Sequence, residues 1–547
     1  MVNRNIRLAF ACILAVTSLS TPLFAQPSSP KLVVGITVDQ MRWDYIYRFQ
    51  QRWLPQGGMQ RFLQKGYACN NTQIMYLPSY TACGHAGIYT GTVPAVHGIT
   101  GNSWYDNNRQ ENVYCTEDDS VKTVGSTTDM GQMSPVNLLT TTICDELRLA
   151  NNFRSKTIGI ALKDRGGILA AGHNANAAYW YDSEAGHWIT SSYYMDETPA
   201  WVKSFNTPAK VDSLYKLDWS LMYPAETYTQ SMYDKRGTNA RAFGSTPNKF
   251  PYGLKKNAGQ NYSIIAATPH GNTLTTEFAK AAVLGEQLGA DNTPDFLALS
   301  YSSPDYIGHA HGPNSIEIED TYLRLDKELG QFFDFLDKQV GAGNWMVFLS
   351  ADHGVAHVPG FLEANKMPGG LIDDKKIAEQ LAEALKQQFG VDNLSRGIVN
   401  SQVIFNVELI KRTKKLGQSD VADFVISWLE KQDGISRAFR LEDLTKAPIP
   451  DFVANQIVNG YFPTRSGQIQ ILYKSGYIEG FATGGSTHGT GYKYDTHIPL
   501  LWYGWHIKPG QTQRKISMSD IAPTLAAMLK IQEPSGSIGD VILELFN

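Results

Sequence analysis

Cysteine is scarce, with 5 in 547 residues, and no two stand in a Cys-x-x-Cys pair. That argues against thiolate zinc fingers and thioredoxin-type chemistry. Long runs of one charge are missing too. With 48 Lys and Arg against 52 Asp and Glu, the formal charge is only -4, and nothing marks nucleic acid as an obligate partner. There is no internal repeat and no low-complexity block. The N-terminal apolar stretch from Leu8 to Val16 is too short to cross ~30 Å of hydrocarbon, so no stable membrane anchor is expected.

That stretch follows Arg4 and Arg7 and leads to Leu23-Phe24-Ala25 before a polar Gln-Pro-Ser-Ser-Pro run. The pattern reads as a secretory signal peptide over 1–25, with the mature chain 26–547 exported to the periplasm or beyond. Cleavage removes both arginines, taking the formal charge from -4 to -6. It also removes Cys12 and leaves Cys69, Cys83, Cys115 and Cys144, an even number that permits up to two disulfides of undetermined pairing.

The length exceeds what one core requires, which predicts a large catalytic domain carrying insertions. Apolar, β-branched runs at 32–38, 157–162, 296–301, 345–350 and 498–502 predict buried strands. Helical periodicity over 135–150, 273–288, 316–339, 374–389 and 519–529 separates them. This alternation predicts an α/β fold, a doubly wound, mostly parallel sheet flanked by helices, with ligands bound beyond the carboxyl ends of its strands. Two less regular regions, about 166–260 and 391–477, are expected to be cap insertions. Their aromatic residues are expected to fill the caps.

Three predicted strands end in carboxylates: Asp39 after the first, Asp305 after the run ending at Tyr301, and Asp352-His353 after Ser350. One Asp after a strand is ordinarily a turn or cap residue. Three on one sheet edge, two with histidines nearby, suggest a metal centre. Asp305 and His309 are spaced to converge on one ion within a helical turn or tight loop, and His488 lies in a glycine-rich loop. Two Asp-His pairs with a further Asp and a further His suit two zinc ions. His85, His97, His173, His311, His357 and His497 are read as core or surface residues.

The segment Leu77-Pro78-Ser79-Tyr80-Thr81-Ala82 predicts a turn opening into a small-residue helix. A hydroxyl at such a helix start is usually a cap. It also faces N–H groups able to hold phosphate oxygens, and a neighbouring cation can activate it, which makes Thr81 the candidate nucleophile.

In order and spacing, Asp39, the Thr81 segment, Gly101-Asn102, Asp305 to His309, Asp352-His353 and Gly485 to Gly489 resemble the alkaline phosphatase superfamily. More narrowly they resemble its phosphate-irrepressible bacterial members of the PafA type, over nearly the whole mature chain. The resemblance implies one zinc on Asp305, His309 and His488, and a second on Asp39, Asp352 and His353 with Thr81 completing its shell. It implies hydrolysis of small phosphate monoesters through a phosphothreonine; specificity is expected to be broad, because no single leaving-group pocket is evident, and the enzyme is expected to be a monomer.

Asn102 can donate two hydrogen bonds, and Lys163 and Arg165 share a face if the chain is extended there, presenting two cations to one ligand. A monoester dianion needs that charge, whereas a diester carries an esterified oxygen in its place. Related nucleotide pyrophosphatase-type diesterases lack the pair, so a diesterase is the alternative reading. No Cys- or Ser-x-Pro-x-Arg motif surrounds Thr81, which sets sulfatases aside, and export argues against phosphomutases. A catalytically silent, zinc-stabilised phosphate-binding protein is the alternative outside enzymes.

Overall fold

The structure is a computed structural model describing residues 29–232, 250–446, 449–480 and 484–546. The leader expected over 1–25 lies outside them. A ten-stranded sheet forms the centre, in the spatial order Gly510–Thr512, Tyr67–Cys69, Leu500–Gly504, Trp345–Ser350, Leu32–Val38, Asp295–Tyr301, Thr157–Ala161, Ala177–Asp182, His187–Ser191, Thr123–Val124. The run from Trp345–Ser350 to Ala177–Asp182 is parallel. Antiparallel strands extend it on both sides, so the sheet is mixed.

Leu32–Val38 is buried at every position, as expected of a parallel strand covered on both faces. Gly35 lies under the helix Thr81–Thr90, where a Cβ would come within 2.7 Å of the Tyr89 hydroxyl. That close approach, with the Tyr89 hydroxyl donating to Gly35 O at 3.1 Å, packs the C-terminal turn of the helix on the middle of the strand. The register pairs Val38 with Tyr301 and Thr37 with Ser350, so the chains leaving these three strands emerge side by side.

Departures from the expected elements follow local chemistry. The helix expected over 135–150 begins at Ile143, because Thr142 and Asp145 close a capping box there. The helix expected from 273 starts at Pro269, a residue suited to the first helical turn. The strand expected over 498–502 divides at Pro499, which has no N–H for a ladder, into His497–Ile498 and Leu500–Gly504.

Within 166–260, Ala177–Asp182 and His187–Ser191 continue the main sheet. Within 391–477 lies a separate four-stranded sheet, Ser395–Val399, Gln402–Phe405, Ile469–Tyr473, Ile435–Arg440. The helices Asp374–Phe389 and Gln418–Leu429 cover it through a core that includes Leu381, Leu385, Val403, Val421 and Ile471. Disulfides do not form: Cys69, Cys83, Cys115 and Cys144 are free and buried, and they serve as small apolar core residues.

Candidate active site

Most of the candidate ligands stand where a regular element ends or begins. Asp39 leaves the strand Leu32–Val38, and Asp352-His353 leave Trp345–Ser350. Asp305 occupies the first turn of the helix Ser303–His311, and His309 follows one turn later on the same face. His488 comes from a loop in which Gly489 has φ 120° and packs against the Tyr80 ring. Thr81 opens the helix Thr81–Thr90, whose N-cap residue Tyr80 makes no side-chain cap.

The donor atoms converge in two groups. His309 Nε2 lies 3.1 Å and His488 Nε2 3.7 Å from Asp305 Oδ1. His353 Nε2 lies 3.5 Å from both Asp39 Oδ1 and Asp352 Oδ2, and 3.3 Å from Thr81 Oγ1. Those two carboxylate oxygens are buried without a hydrogen-bond donor, an arrangement that is costly unless a cation meets them. The imidazoles agree with this. Nδ1 of His309, His488 and His353 faces the carbonyl oxygens of Ser486, Ser79 and Gly354 at 2.8, 2.8 and 3.0 Å. Donating Nδ1–H there leaves each Nε2 with a free lone pair aimed inward. Burial pushes the His353 pKa down to about 3 and that of His488 well below the usual range, which favours their neutral forms, whereas for His309 burial works downward but Asp305 raises the pKa. The stacking of His353 and His488 at 3.4 Å is consistent with neutral rings. The residues present therefore fit a metal centre, with candidate ligand clusters at Asp305, His309 and His488 and at Asp39, Asp305 and His353.

Lys163 Nζ stands between the groups, 2.6 Å from Asp39 Oδ2 and 2.6 Å from Asp305 Oδ2. Burial works against its charge, but Asp305 and Asp39 raise its pKa above the usual value. For Asp305 burial works upward, yet His309 and Lys163 hold the carboxyl well below its ordinary range. Asp352 goes the other way, pushed up by burial and by Asp39.

Asn102 Oδ1 accepts the Ala82 N–H at 3.0 Å, which holds the amide beside Thr81 with its NH2 group turned away from that bond. The expectation that Lys163 and Arg165 share a face of an extended chain needs correcting. Only Lys163 is extended, as the N-cap of the helix Asp164–Ala171, and Arg165 lies inside that helix. Arg165 Nη1 donates to the Tyr114 hydroxyl at 3.0 Å, and Tyr114 in turn donates to Asp164 at 2.9 Å. The two cations nevertheless line one cavity of about 400 Å³, with Tyr306, Trp180, Tyr181 and Glu117 among its other walls.

A family model described as type I phosphodiesterase / nucleotide pyrophosphatase matches residues 33–469. Alkaline phosphatase PhoV of Synechococcus elongatus is 49% identical over 516 residues, covering 94% of this chain and 93% of that protein. Alkaline phosphatase PafA of Elizabethkingia meningoseptica is 45% identical over 540 residues, covering 97% and 98%. The crystal structure of wild-type PafA matches with a TM-score of 0.92 at 45% identity, over 95% of this chain and 99% of that one. The chain belongs to the PafA-type alkaline phosphatases. A PafA variant replaced at one threonine, one asparagine, one lysine and one arginine matches with a TM-score of 0.91 at 45% identity, over 94% of this chain and 99% of that one.

In this alkaline phosphatase several supporting residues escape sequence reasoning. Arg465, from the small lobe that 391–477 forms around the four-stranded sheet, donates to the carbonyl oxygens of Gly98 and Asn137 at 2.6 and 2.8 Å. Its own carbonyl accepts from the Thr100 hydroxyl at 3.1 Å, so the loop carrying Asn102 is bound from a segment more than 360 residues away. Asn400 donates to Ser103 O at 2.8 Å from a turn in which Asn400 and Ser401 both have positive φ. His85 is buried between Thr81 O and Ser300 Oγ, 2.9 Å from each. A paired Asn-Ser turn and an isolated Arg carry no signal of such contacts in a linear reading.

Proposed function

We infer that this alkaline phosphatase hydrolyses phosphate monoesters to alcohol and inorganic phosphate at a two-zinc site, with Thr81 as nucleophile. One observation carries the reading: Thr81 Oγ1 lies 3.3 Å from His353 Nε2, at the point where two buried carboxylate oxygens lack donors. The mixed imidazole and carboxylate donors suit zinc. Asp305, His309 and His488 would hold one ion, and Asp39, Asp352 and His353 the other, beside Thr81. Bound there, two zinc ions supply charge that favours the ionised threonine hydroxyl and offsets that of the phosphoryl oxygens.

Thr81 Oγ1 loses its proton and bonds to phosphorus as the ester P–O bond opposite it breaks, and the leaving oxygen departs with the electron pair and takes up a proton to become the alcohol. Water then attacks the phosphothreonine from the vacated side, releasing inorganic phosphate and restoring the hydroxyl. Asn102 and Arg165 orient the non-bridging oxygens of the phosphoryl group, and Lys163 adds positive charge between the ligand sets, in a reaction governed by positioning and electrostatics. The replaced PafA residues support these roles. That threonine and asparagine are 21 positions apart, and that lysine and arginine 2, as are Thr81 and Asn102, and Lys163 and Arg165. We read 1–25 as a leader that sends the enzyme out of the cytoplasm, and 391–477 as a cap over the site; the expected cap over 166–260 is reduced to what lies beyond the main-sheet strands Ala177–Asp182 and His187–Ser191. We propose that the enzyme acts as a monomer.

The test is kcat/KM for a matched aryl phosphate monoester and methyl aryl phosphate diester with zinc-loaded protein. A monoester preference of several orders of magnitude is expected. A diester preference would favour the diesterase reading that the matched family's description carries. Thr81→Ala should abolish turnover and keep two zinc ions; loss of both metals would make Thr81 structural instead. Zinc and phosphate binding without turnover of any ester would mark a silent binding protein.

A further inference from the structure

The residue after Asp39 has a left-handed backbone conformation. Gln40 is 2% exposed and sits at φ 67°, in the left-handed region that residues with a side chain adopt at a cost. That conformation turns its main-chain N–H toward Asp352 Oδ1, 3.1 Å away. The same oxygen accepts the His353 N–H at 3.0 Å, which leaves Oδ2 as the oxygen facing His353 Nε2. The side chain turns the other way, and its Nε2 donates to Asp305 Oδ1 at 2.5 Å. That is the oxygen nearest His309 and His488. One residue thus ties a carboxylate of each donor group to the end of the central strand.

The opposite wall is fitted to it. A Cβ on Gly308 would come within 1.8 Å of Gln40 Oε1, and its other near neighbours are the Cδ and Nε2 of the same amide. Glycine inside the helix Ser303–His311 costs helix stability relative to alanine, and here it makes room for this amide.

We propose that Gln40 is a positioning residue that couples the two metal sites, orienting Asp305 through its amide and Asp352 through its backbone N–H. The proposal rests on the two-zinc reading above. Donors of this kind fix a ligand's orientation, and their loss typically weakens metal binding ~10–100-fold.

Zinc affinity of the whole chain, measured by chelator competition, tests this independently of turnover. Gln40→Ala should weaken the site of Asp305, His309 and His488 by ~10–100-fold, while the metal-free melting temperature stays near wild type. Gln40→Asn should lose as much: asparagine tolerates the left-handed conformation but is one methylene too short to reach Asp305. Gly308→Ala should reproduce the loss by displacing the amide, despite being the better helix former, and should add nothing when combined with Gln40→Ala. Wild-type zinc affinity in Gln40→Ala would overturn the proposal. So would retention by Gln40→Asn, because the backbone conformation alone would then account for the effect. If Asp305→Ala leaves the zinc content of the protein unchanged, the two-zinc reading fails and takes the proposal with it.

Discussion

Replacing Arg165 by alanine separates substrate recognition from metal binding, because Arg165 touches none of the metal-ligand candidates. Its guanidinium donates to Tyr114 at 3.0 Å, and its Nε is buried without a partner, leaving donors free for an anion. A charged hydrogen bond is worth about 1.5–3 kcal/mol, so the loss in kcat/KM for a monoester should be about 10- to 150-fold. A diester brings one less negative charge and an esterified oxygen that accepts poorly, and its loss should stay below about 5-fold, since an uncharged contact contributes ~1 kcal/mol. The assay is kcat/KM for matched monoester and diester aryl phosphates, with bound zinc measured on the same samples. Equal losses for both substrates at unchanged zinc would refute the idea that this cation reads the extra charge. Loss of zinc would refute the independence of Arg165 from the metal sites.

Arg465→Ala should act at a distance. Removing its bonds to Gly98 O and Asn137 O strips buried carbonyls of a donor at a cost of about 1–3 kcal/mol, which calorimetry would read as a lower Tm. Monoester kcat/KM should fall roughly tenfold, the equivalent of ~1.4 kcal/mol of misplaced Asn102, with both zinc ions retained; unchanged kinetics would mean that the loop holds its shape without the small lobe. The cysteines give a chemical test. Burial pushes the Cys69 thiol up to about 12 and raises Cys83, Cys115 and Cys144 as well. A disulfide reagent at pH 8 should therefore find no reactive thiol in the native mature enzyme and four in denaturant without reductant, and a lower count would reveal a disulfide.

Much of the site is legible in the chain because its donors stand at the boundaries of strongly patterned elements. A β-branched run such as 32–38 predicts a buried strand by itself, and the residue that follows must then lie at the strand's carboxyl end. Asp39, Asp305 and Asp352 were identified that way, and the four-residue spacing of Asp305 and His309 is realised as one helical turn. Cysteine pairing was not legible, since an even count permits disulfides but only the positions of the side chains decide whether sulfurs meet.

Local sequence determined which residues could act as ligand, nucleophile or cation, because those capacities belong to the side chains themselves. Tertiary structure alone decided how they are held. Asp352 presents one oxygen because Gln40 and His353 occupy the other. Lys163 and Arg165 point to different partners because a helix begins between them. Gln40 reaches Asp305, 265 positions away, because two parallel strands place their ends side by side. A hydrogen bond depends on distance and direction in space, and for residues far apart in the chain those are set only when the sheet assembles.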